Sequence, residues 1–446
     1  TGEATIDGGG LVLAPGFIDT HSHADWDLAD HPDATAVISQ GITTVVVGQD
    51  GGSHVPLSEA FSRWTAAKAT VNVASYSGHN SLREKVMGDA ANGPATDAQI
   101  EAMERLLQAD LEAGALGLGT GLEYEPGIHS ETDEVMRLAK LAAQHGGRYI
   151  SHLRSEDRWF WEGVDEIIAI GRETGMPVQI SHIKLAMKSY WGRVPVLLAI
   201  LDRARAEGID ITADIYPYTY WQSNMMVLVP SRDLEDREAF RFALEEIAPP
   251  EGFWLTQFEP EPALVGLRLT EIAERRGLAP LDTYMALAAE SVAWEARTGQ
   301  GADSMIGTSM TDDDVAALFA WPHTNLCTDG GLVDRHPRAV GSFPRVLGRM
   351  VREEGRLTLA EAVHKMSGLS ARHMGFADRG LIRPGMAADL VLFDPDTVLD
   401  RATPDDPFAL SVGIERVWVA GEPVWENGAE TGRRPGRVLR RGGTTP

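Results

Sequence analysis

Short apolar, β-branched runs alternate with amphipathic helical stretches along most of this chain. Eight such runs are spaced along it, at residues 17–23, 43–49, 70–76, 116–122, 148–152, 178–182, 209–216 and 325–328. Helical patterns lie between them, at residues 97–112, 131–145, 164–172 and 194–206. Thr96 and Gln99 are spaced for a capping box at the start of the first helix, and Gly114 is placed to end it.

Strands that alternate with helices predict a parallel sheet. Eight of them favour a (β/α)8 TIM-type barrel, with an open doubly wound sheet as the alternative. The spacing from His152 to His182, 30 residues, is that of one βαβ unit. The barrel is preferred because no Gly-rich dinucleotide fingerprint follows the first strand.

The chain divides into a barrel at residues 16–380 and a smaller β-domain made from residues 1–15 and 381–446. Residues 221–303 form an insertion too long for an ordinary βα loop, and we expect it to lie over the C-terminal mouth as a lid. The small domain is predicted from short β patterns with Gly and Pro turns, one of them starting at residue 4. The basic tail, 433–446, is interpreted as a surface strap or a frayed end.

Composition and charge argue against several classes of function. The 446 residues are 43% hydrophobic and 24% charged, which is typical of a globular protein. A formal net charge of −25 argues against nucleic acid as a partner. No apolar run reaches the roughly 18 residues that a membrane span needs. We expect a cytoplasmic protein, although a chain that starts at Thr1 leaves a removed N-terminal signal open. The oligomeric state is not predicted.

Cys327 is the single cysteine. An intrachain disulfide and a multi-cysteine zinc site are therefore excluded, so any metal must be held mainly by histidine and carboxylate. Cys327 itself is expected to be a packed core thiol rather than a ligand.

Histidines stand at the ends of several predicted strands. His21 and His23 are two residues apart, so both imidazoles point the same way. His152 and His182 end the fifth and sixth strands, and Asp329 ends the eighth. In a parallel barrel these ends meet at one mouth, where the catalytic residues of such barrels lie. Converging imidazoles and a carboxylate indicate a divalent metal site.

This pattern resembles the amidohydrolase superfamily, and within it the N-acyl-D-amino-acid deacylases (D-aminoacylases). The resemblance covers essentially the whole chain and lies in the segments APGFIDTHSHAD, GITTVVVGQDGGS, SHLRSE, PVQISHIK, ADIYPYT, HPRAVGSFPRVLGR, GLIRPGMAADLVLFDPDTV and TGRRPGRVLRR. It implies a (β/α)8 barrel with a small flanking β-sandwich, and one or two Zn²⁺ ions per chain.

Two positions depart from the family pattern. The second strand of the family ends in a motif whose cysteine binds zinc, and Asp50 stands there instead. A carboxylate can still ligate or bridge zinc, so Asp50 is counted as a ligand; the alternative is a turn-capping residue. Glu123 ends the fourth strand, where a well-known family member carries an aromatic residue. It could bind metal, contact a cationic substrate group or face solvent, and these alternatives stay open.

The resemblance also implies a set of substrate-binding residues. Tyr124, Lys184 and Arg338 match the family residues that hold the α-carboxylate, which suits charge-assisted bonds from an ammonium and a guanidinium. Tyr216 is expected to donate to the amide oxygen, with Tyr218 as a competing choice. His79, at the end of the third strand, could also reach the mouth.

The predicted function is zinc-dependent hydrolysis of N-acyl-D-amino acids by metal-activated water, with Asp329 as general base and acid. The alternatives are a dipeptidase or a cyclic-amide hydrolase of the same superfamily, and a non-catalytic metal-binding scaffold. The expected partner is a small molecule, either an N-acyl amino acid or a dipeptide. The preference for the D form follows only from the resemblance.

Overall fold

The computed structural model describes residues 8–443. Numbered along the chain, its strands are β1 (Val12–Pro15), β2 (Phe17–Asp19), β3 (Ile42–Val47), β4 (Asn72–Ser75), β5 (Ser77–Gly78), β6 (Gly117–Gly121), β7 (Arg148–His152), β8 (Val178–Ile180), β9 (Ile211–Ile215), β10 (Tyr220–Ser223), β11 (Phe253–Phe258), β12 (Asp303–Thr308), β13 (Thr324–Leu326), β14 (Leu390–Phe393), β15 (Ile414–Val419), β16 (Glu422–Glu426) and β17 (Ala429–Glu430).

The helices, numbered in the same way, are α1 (Thr35–Ile38), α2 (Leu57–Ala67), α3 (His79–Met87), α4 (Asp97–Ala113), α5 (Thr132–Gln144), α6 (Phe160–Thr174), α7 (Val194–Ala206), α8 (Arg237–Phe242), α9 (Leu269–Arg276), α10 (Pro280–Thr298), α11 (Asp312–Ala320), α12 (Arg338–Arg345), α13 (Leu359–Met366) and α14 (Gly368–Met374).

Nine of these strands form a closed parallel barrel. The short strands β4 and β5 follow one another along the chain and together occupy one of the eight strand positions of the barrel. Strand β3 pairs with β2 on one side and with β4 on the other. Each strand from β5 to β9 pairs with the next one along the chain, and β9 also pairs with β13. The ring closes where Asp329 N donates to His21 O at 2.8 Å and His23 N donates to Gly330 O at 3.0 Å. The predicted (β/α)8 barrel is confirmed.

Local sequence explains why the barrel elements form. Strand β3 reads ITTVVV and is buried at every position, as a parallel strand covered on both faces must be. Helix α4 starts at the predicted capping box between Thr96 and Gln99, and it ends at Gly114, whose φ of 114° suits glycine best.

The insertion builds a small antiparallel sheet of its own. Strand β12 lies between β10 and β11, and the intervening chain carries α8, α9 and α10. The sequence indicated mixed helical segments here, and it did not reveal that strands distant in sequence would pair. The predicted domain boundaries at residues 15 and 380 remain predictions.

The small flanking domain contains a five-stranded antiparallel sheet in the order β1, β14, β15, β16, β17. Its inner face contains the buried side chains of Val391, Phe393 and Val417. Beyond it the chain returns to the barrel, where Val438 bridges Val73 in β4. The pattern that was predicted to start at residue 4 forms β1 from Val12 onwards, and residues 1–7 lie outside the described residues. Among the described helices, none is both long and apolar enough to cross a membrane.

Candidate metal centre

The side chains predicted as metal ligands meet at the C-terminal mouth of the barrel. His21 Nε2 lies 3.4 Å from Asp50 Oδ1 and 3.5 Å from Asp329 Oδ1. His23 Nε2 lies 3.4 Å from Asp50 Oδ2 and 3.1 Å from Asp329 Oδ1. Asp50 therefore faces the cluster and does not act as a turn cap alone.

The two remaining histidines complete the group. His182 Nε2 lies 3.3 Å from Asp50 Oδ1 and 3.1 Å from His152 Nδ1. One set of potential ligands comprises His21, Asp50, His182 and Asp329, and an overlapping set comprises His152, Glu156 and His182. His182 belongs to both sets, so the geometry offers two neighbouring positions for an ion.

Backbone strain is concentrated at three of these residues. Asp50, His182 and Asp329 have φ values of 51°, 32° and 52°, in the left-handed region that non-glycine residues seldom adopt. Such strain persists only where the surrounding structure fixes it, and it clusters at functional sites. Here it turns three donor groups from separate strand ends toward one point.

Carboxylates stand behind three of the four imidazoles, next to the ring nitrogens that face away from the cluster. Glu123 Oε2 is 3.0 Å from His152 Nε2, and Glu156 Oε1 is 3.0 Å from His182 Nδ1. Asp214 Oδ1 is 3.7 Å from His21 Nδ1. A carboxylate within hydrogen-bond distance, as Glu123 and Glu156 are, fixes the tautomer and the orientation of a metal-binding histidine.

Electrostatics keep the central carboxylates ionised. Burial favours a raised pKa for Asp329, but the Arg338 guanidinium, with Nη1 2.6 Å from Oδ2, and the neighbouring histidines hold that pKa below its usual range. Burial likewise opposes ionisation of Asp50, and His21 and His182 hold its pKa well below the usual range. The cluster thus presents two negative charges to a cation.

The residues present fit a divalent transition-metal ion. Both ring nitrogens of His21 are buried without a hydrogen-bond partner, which is costly for an imidazole unless something else binds it. Imidazole nitrogens and carboxylate oxygens are the donors that zinc takes in catalytic sites. Cys327 is not part of the set, because its buried thiol points at Asp214 Oδ1, 3.3 Å away, as expected for a core residue.

A pocket opens beside the cluster, and all the predicted substrate-binding residues line it: Glu123, Tyr124, Lys184, Tyr216 and Arg338. The Tyr216 hydroxyl is buried without a partner. Tyr218 donates to Pro337 O at 3.4 Å and does not line the pocket, whereas Tyr216 does. His79 does not reach the pocket; it is buried against Glu134 at 2.7 Å.

Comparison with known proteins agrees with this geometry. The model of the amidohydrolase family matches residues 4–248 and 261–425. The chain belongs to the amidohydrolase family. It is 39% identical to an N-acyl-D-glutamate deacylase and 36% identical to a D-aminoacylase, both of Alcaligenes xylosoxydans xylosoxydans. These alignments cover 98% of this chain and 88% and 89% of the relatives.

A solved structure is similar over the same extent. It is the N-acyl-D-glutamate deacylase of Bordetella bronchiseptica in complex with zinc and a phosphonate inhibitor that mimics the tetrahedral intermediate. The TM-score is 0.86 at 38% identity, and the match covers 97% of this amidohydrolase and 90% of that chain.

Two residues of the amidohydrolase site were missed in the sequence. Glu156 holds Lys184 through both oxygens, at 2.6 and 2.7 Å, and it belongs to a potential ligand set. Asp214 accepts from the His182 backbone N–H at 2.6 Å and so supports the strained turn. Each lies inside a motif already noted, SHLRSE or ADIYPYT, and an acidic residue close to a strand-end ligand was the available signal.

Proposed function

We propose that this amidohydrolase uses zinc to hydrolyse the amide bond of N-acyl-D-amino acids. One observation carries the proposal: part of the metal-binding cluster lines the same pocket that contains Lys184 and Arg338. Such a site places a metal ion that can promote amide cleavage next to cationic groups that can bind a carboxylate. The D configuration of the proposed substrate is inferred from the names of the relatives.

When bound by the histidines and carboxylates of the cluster, zinc would act as a Lewis acid and lower the pKa of a nearby water to about 7. Asp329 accepts a proton from the attacking water, and the water oxygen bonds to the amide carbon. The Tyr216 hydroxyl donates to the carbonyl oxygen as charge develops there. Asp329 then returns the proton to the leaving nitrogen as the C–N bond breaks, giving a carboxylic acid and a free amino acid.

Lys184 and Arg338 position the substrate through its α-carboxylate, together with Tyr124. Both cations are already held, Lys184 by Glu156 and Arg338 by Asp329. These carboxylates fix the two cationic groups in place before substrate arrives, which lowers the entropy that binding costs.

The amino-acid side chain meets an apolar wall. Trp221, Val227, Leu228 and Ile247, all from the insertion, line the pocket together with Ala186. Among the described lining residues, Lys184 and Arg338 are the only cations, so none remains for a second substrate carboxylate. We therefore infer a preference for apolar side chains over those of D-glutamate and D-aspartate, although a relative is named for D-glutamate.

A substrate panel tests the proposal. Zinc-loaded protein is assayed with N-acetyl-D-leucine, N-acetyl-D-methionine, N-acetyl-D-glutamate, the L form of each, and free dipeptides. We expect kcat/KM for the apolar D substrates to exceed that for D-glutamate by about 100-fold, as the burial of an unpaired carboxylate would predict. Asp329→Asn should abolish turnover while zinc, measured by elemental analysis, stays bound.

The outcomes separate the two parts of the proposal. A preference for D-glutamate would refute the apolar side-chain pocket and leave deacylation intact. Cleavage of dipeptides alone would refute deacylation itself. An active Asp329→Asn variant would remove the proton role of Asp329.

A further inference from the structure

A second cavity lies at the opposite end of the barrel from the metal centre. Its volume is about 500 Å³, and it opens where strands β7, β9 and β13 begin. Arg148 is the first residue of β7 and lines this cavity, whereas His152 ends the same strand at the metal centre. The cavity is therefore separate from the catalytic pocket.

Cationic side chains outnumber carboxylates in its lining. Arg148, Arg205, Lys365 and Arg372 contribute four positive charges, against the two carboxylates Asp210 and Glu361. A chain with a net charge of −25 would be expected to surround a cavity with acidic groups. The local excess of positive charge reverses the field of the whole molecule at this point.

Neither carboxylate pairs with the guanidinium group of Arg148 or of Arg372. Asp210 pairs with Arg205 at 3.2 Å. Glu361 caps its own helix and accepts from Thr358 N and Oγ1 at 2.8 and 2.7 Å. Within residues 8–443, no carboxylate forms an ion pair with Arg148 or Arg372. Their charges are thus available to a ligand.

Lys365 adds a buried donor. Its side chain is 6% exposed, and Nζ donates to Trp321 O at 2.7 Å and Thr324 O at 3.0 Å. An ammonium group has three protons, so one remains for the cavity that Lys365 lines. Burial lowers the pKa of Lys365 to about 8, which an anion in contact with it would reverse.

Burial and the nearby positive charges lower the pKa values of three histidines in the lining. Burial and then Arg372 hold the pKa of His373 well below its usual range, and they act in the same direction on His364. Burial and then Arg205 lower the pKa of His323. The nearby positive charge makes a further proton unfavourable at each of these rings.

We propose that this cavity binds a small molecule that carries a phosphate group. Arginine offers a planar fork of donors that matches phosphate oxygens, and lysine contributes a point charge beside it. A cavity of about 500 Å³ is in the size range of small-molecule sites. The ligand is bound by charge at the base of the barrel and takes no part in amide hydrolysis.

Calorimetry with inorganic phosphate and glycerol phosphate tests this site on the zinc-loaded full chain. We expect binding that weakens with added salt. Arg372→Gln should weaken it by about tenfold, the loss of one charge-assisted contact. Arg372 is exposed, so its replacement leaves the fold intact. Arg148→Gln is the second variant, and Arg237→Gln, at an exposed arginine elsewhere, is the control.

Citrate distinguishes the ligand class. Binding of citrate more tightly than both phosphates would overturn the phosphate assignment. Phosphate binding that is unchanged in both Arg372→Gln and Arg148→Gln would place it outside this cavity and refute the site. Absence of binding by either phosphate would also refute it.

Discussion

Glu123 and His152 form a buried hydrogen-bonded pair at the edge of the metal cluster. Burial raises the pKa of Glu123, and His152 and the Glu156 backbone N–H, at 3.2 Å, stabilise its charged form. Because Nε2 of His152 faces Glu123, Nδ1 is left to face the cluster. We interpret Glu123 as the residue that orients this histidine, which excludes the solvent-facing alternative.

Glu123→Gln should therefore weaken zinc binding by about tenfold to a hundredfold, the usual loss when such a carboxylate is removed. Competition with a chelator, followed spectroscopically, measures the zinc affinity directly. Glu104→Gln, which alters a carboxylate paired with Arg137 on the surface, is the matched control. Unchanged zinc affinity, with turnover lost only for substrates that carry a cation, would instead assign Glu123 to substrate binding.

Single residues were predictable where the backbone alone sets their position. His21, His23, His152, His182 and Asp329 all lie at or just after the ends of barrel strands, and parallel strand ends meet at one mouth whatever the side chains do. Glu156 and Asp214 were not predicted as site residues because their roles depend on contacts through space. Strand periodicity could not separate Tyr216 from Tyr218, since residues two apart point the same way; the turn after β9 separates them.

At the scale of elements, the C-terminal strap fastens two helix ends of the barrel. Arg441 donates to the carbonyl oxygens of Leu111 and Ala115 at 3.0 Å each, and also to His145 O. These carbonyls lie at or just beyond the C-terminal ends of α4 and α5, where helices leave acceptors unsatisfied. A cation there also interacts favourably with the helix dipole.

Arg441→Met should lower the free energy of unfolding by about 2 kcal/mol, because partly buried carbonyls lose a charged donor. Urea denaturation of the zinc-loaded protein measures the change. Arg433→Met is the control, since Arg433 is exposed and pairs with the exposed Glu422. Equal stability of the two variants would show that the tail is a frayed end, the other interpretation of its sequence.

Elements were predictable where local sequence specifies them, as with the capping box of α4 and the β-branched run of β3. The insertion was not, because β10 pairs with β12 across 79 intervening residues. No local pattern encodes such a pairing. That pairing positions Trp221 in β10 on the pocket. The wall that we propose to contact the substrate side chain was therefore not predictable from the sequence.

Over the whole molecule, metal and fold stabilise one another. Asp50 and Asp329 are brought close to each other at the mouth, with Glu156 in the overlapping ligand set, and carboxylates this near repel unless cations lie among them. Arg338 and Lys184 balance part of that charge. A divalent ion supplies the rest, and since it binds the folded state, it shifts the unfolding equilibrium.

Removal of zinc with a chelator should therefore lower stability by about 3 kcal/mol, relative to protein with zinc at a hundredfold excess over its Kd. For a chain of this length, that corresponds to a fall of about 3 °C in Tm. Differential scanning calorimetry measures it. His129→Ala, at a histidine outside the cluster, should keep the full shift, whereas His21→Ala should lose most of it. A shift of equal size in both variants would mean that zinc stabilises the protein from another site.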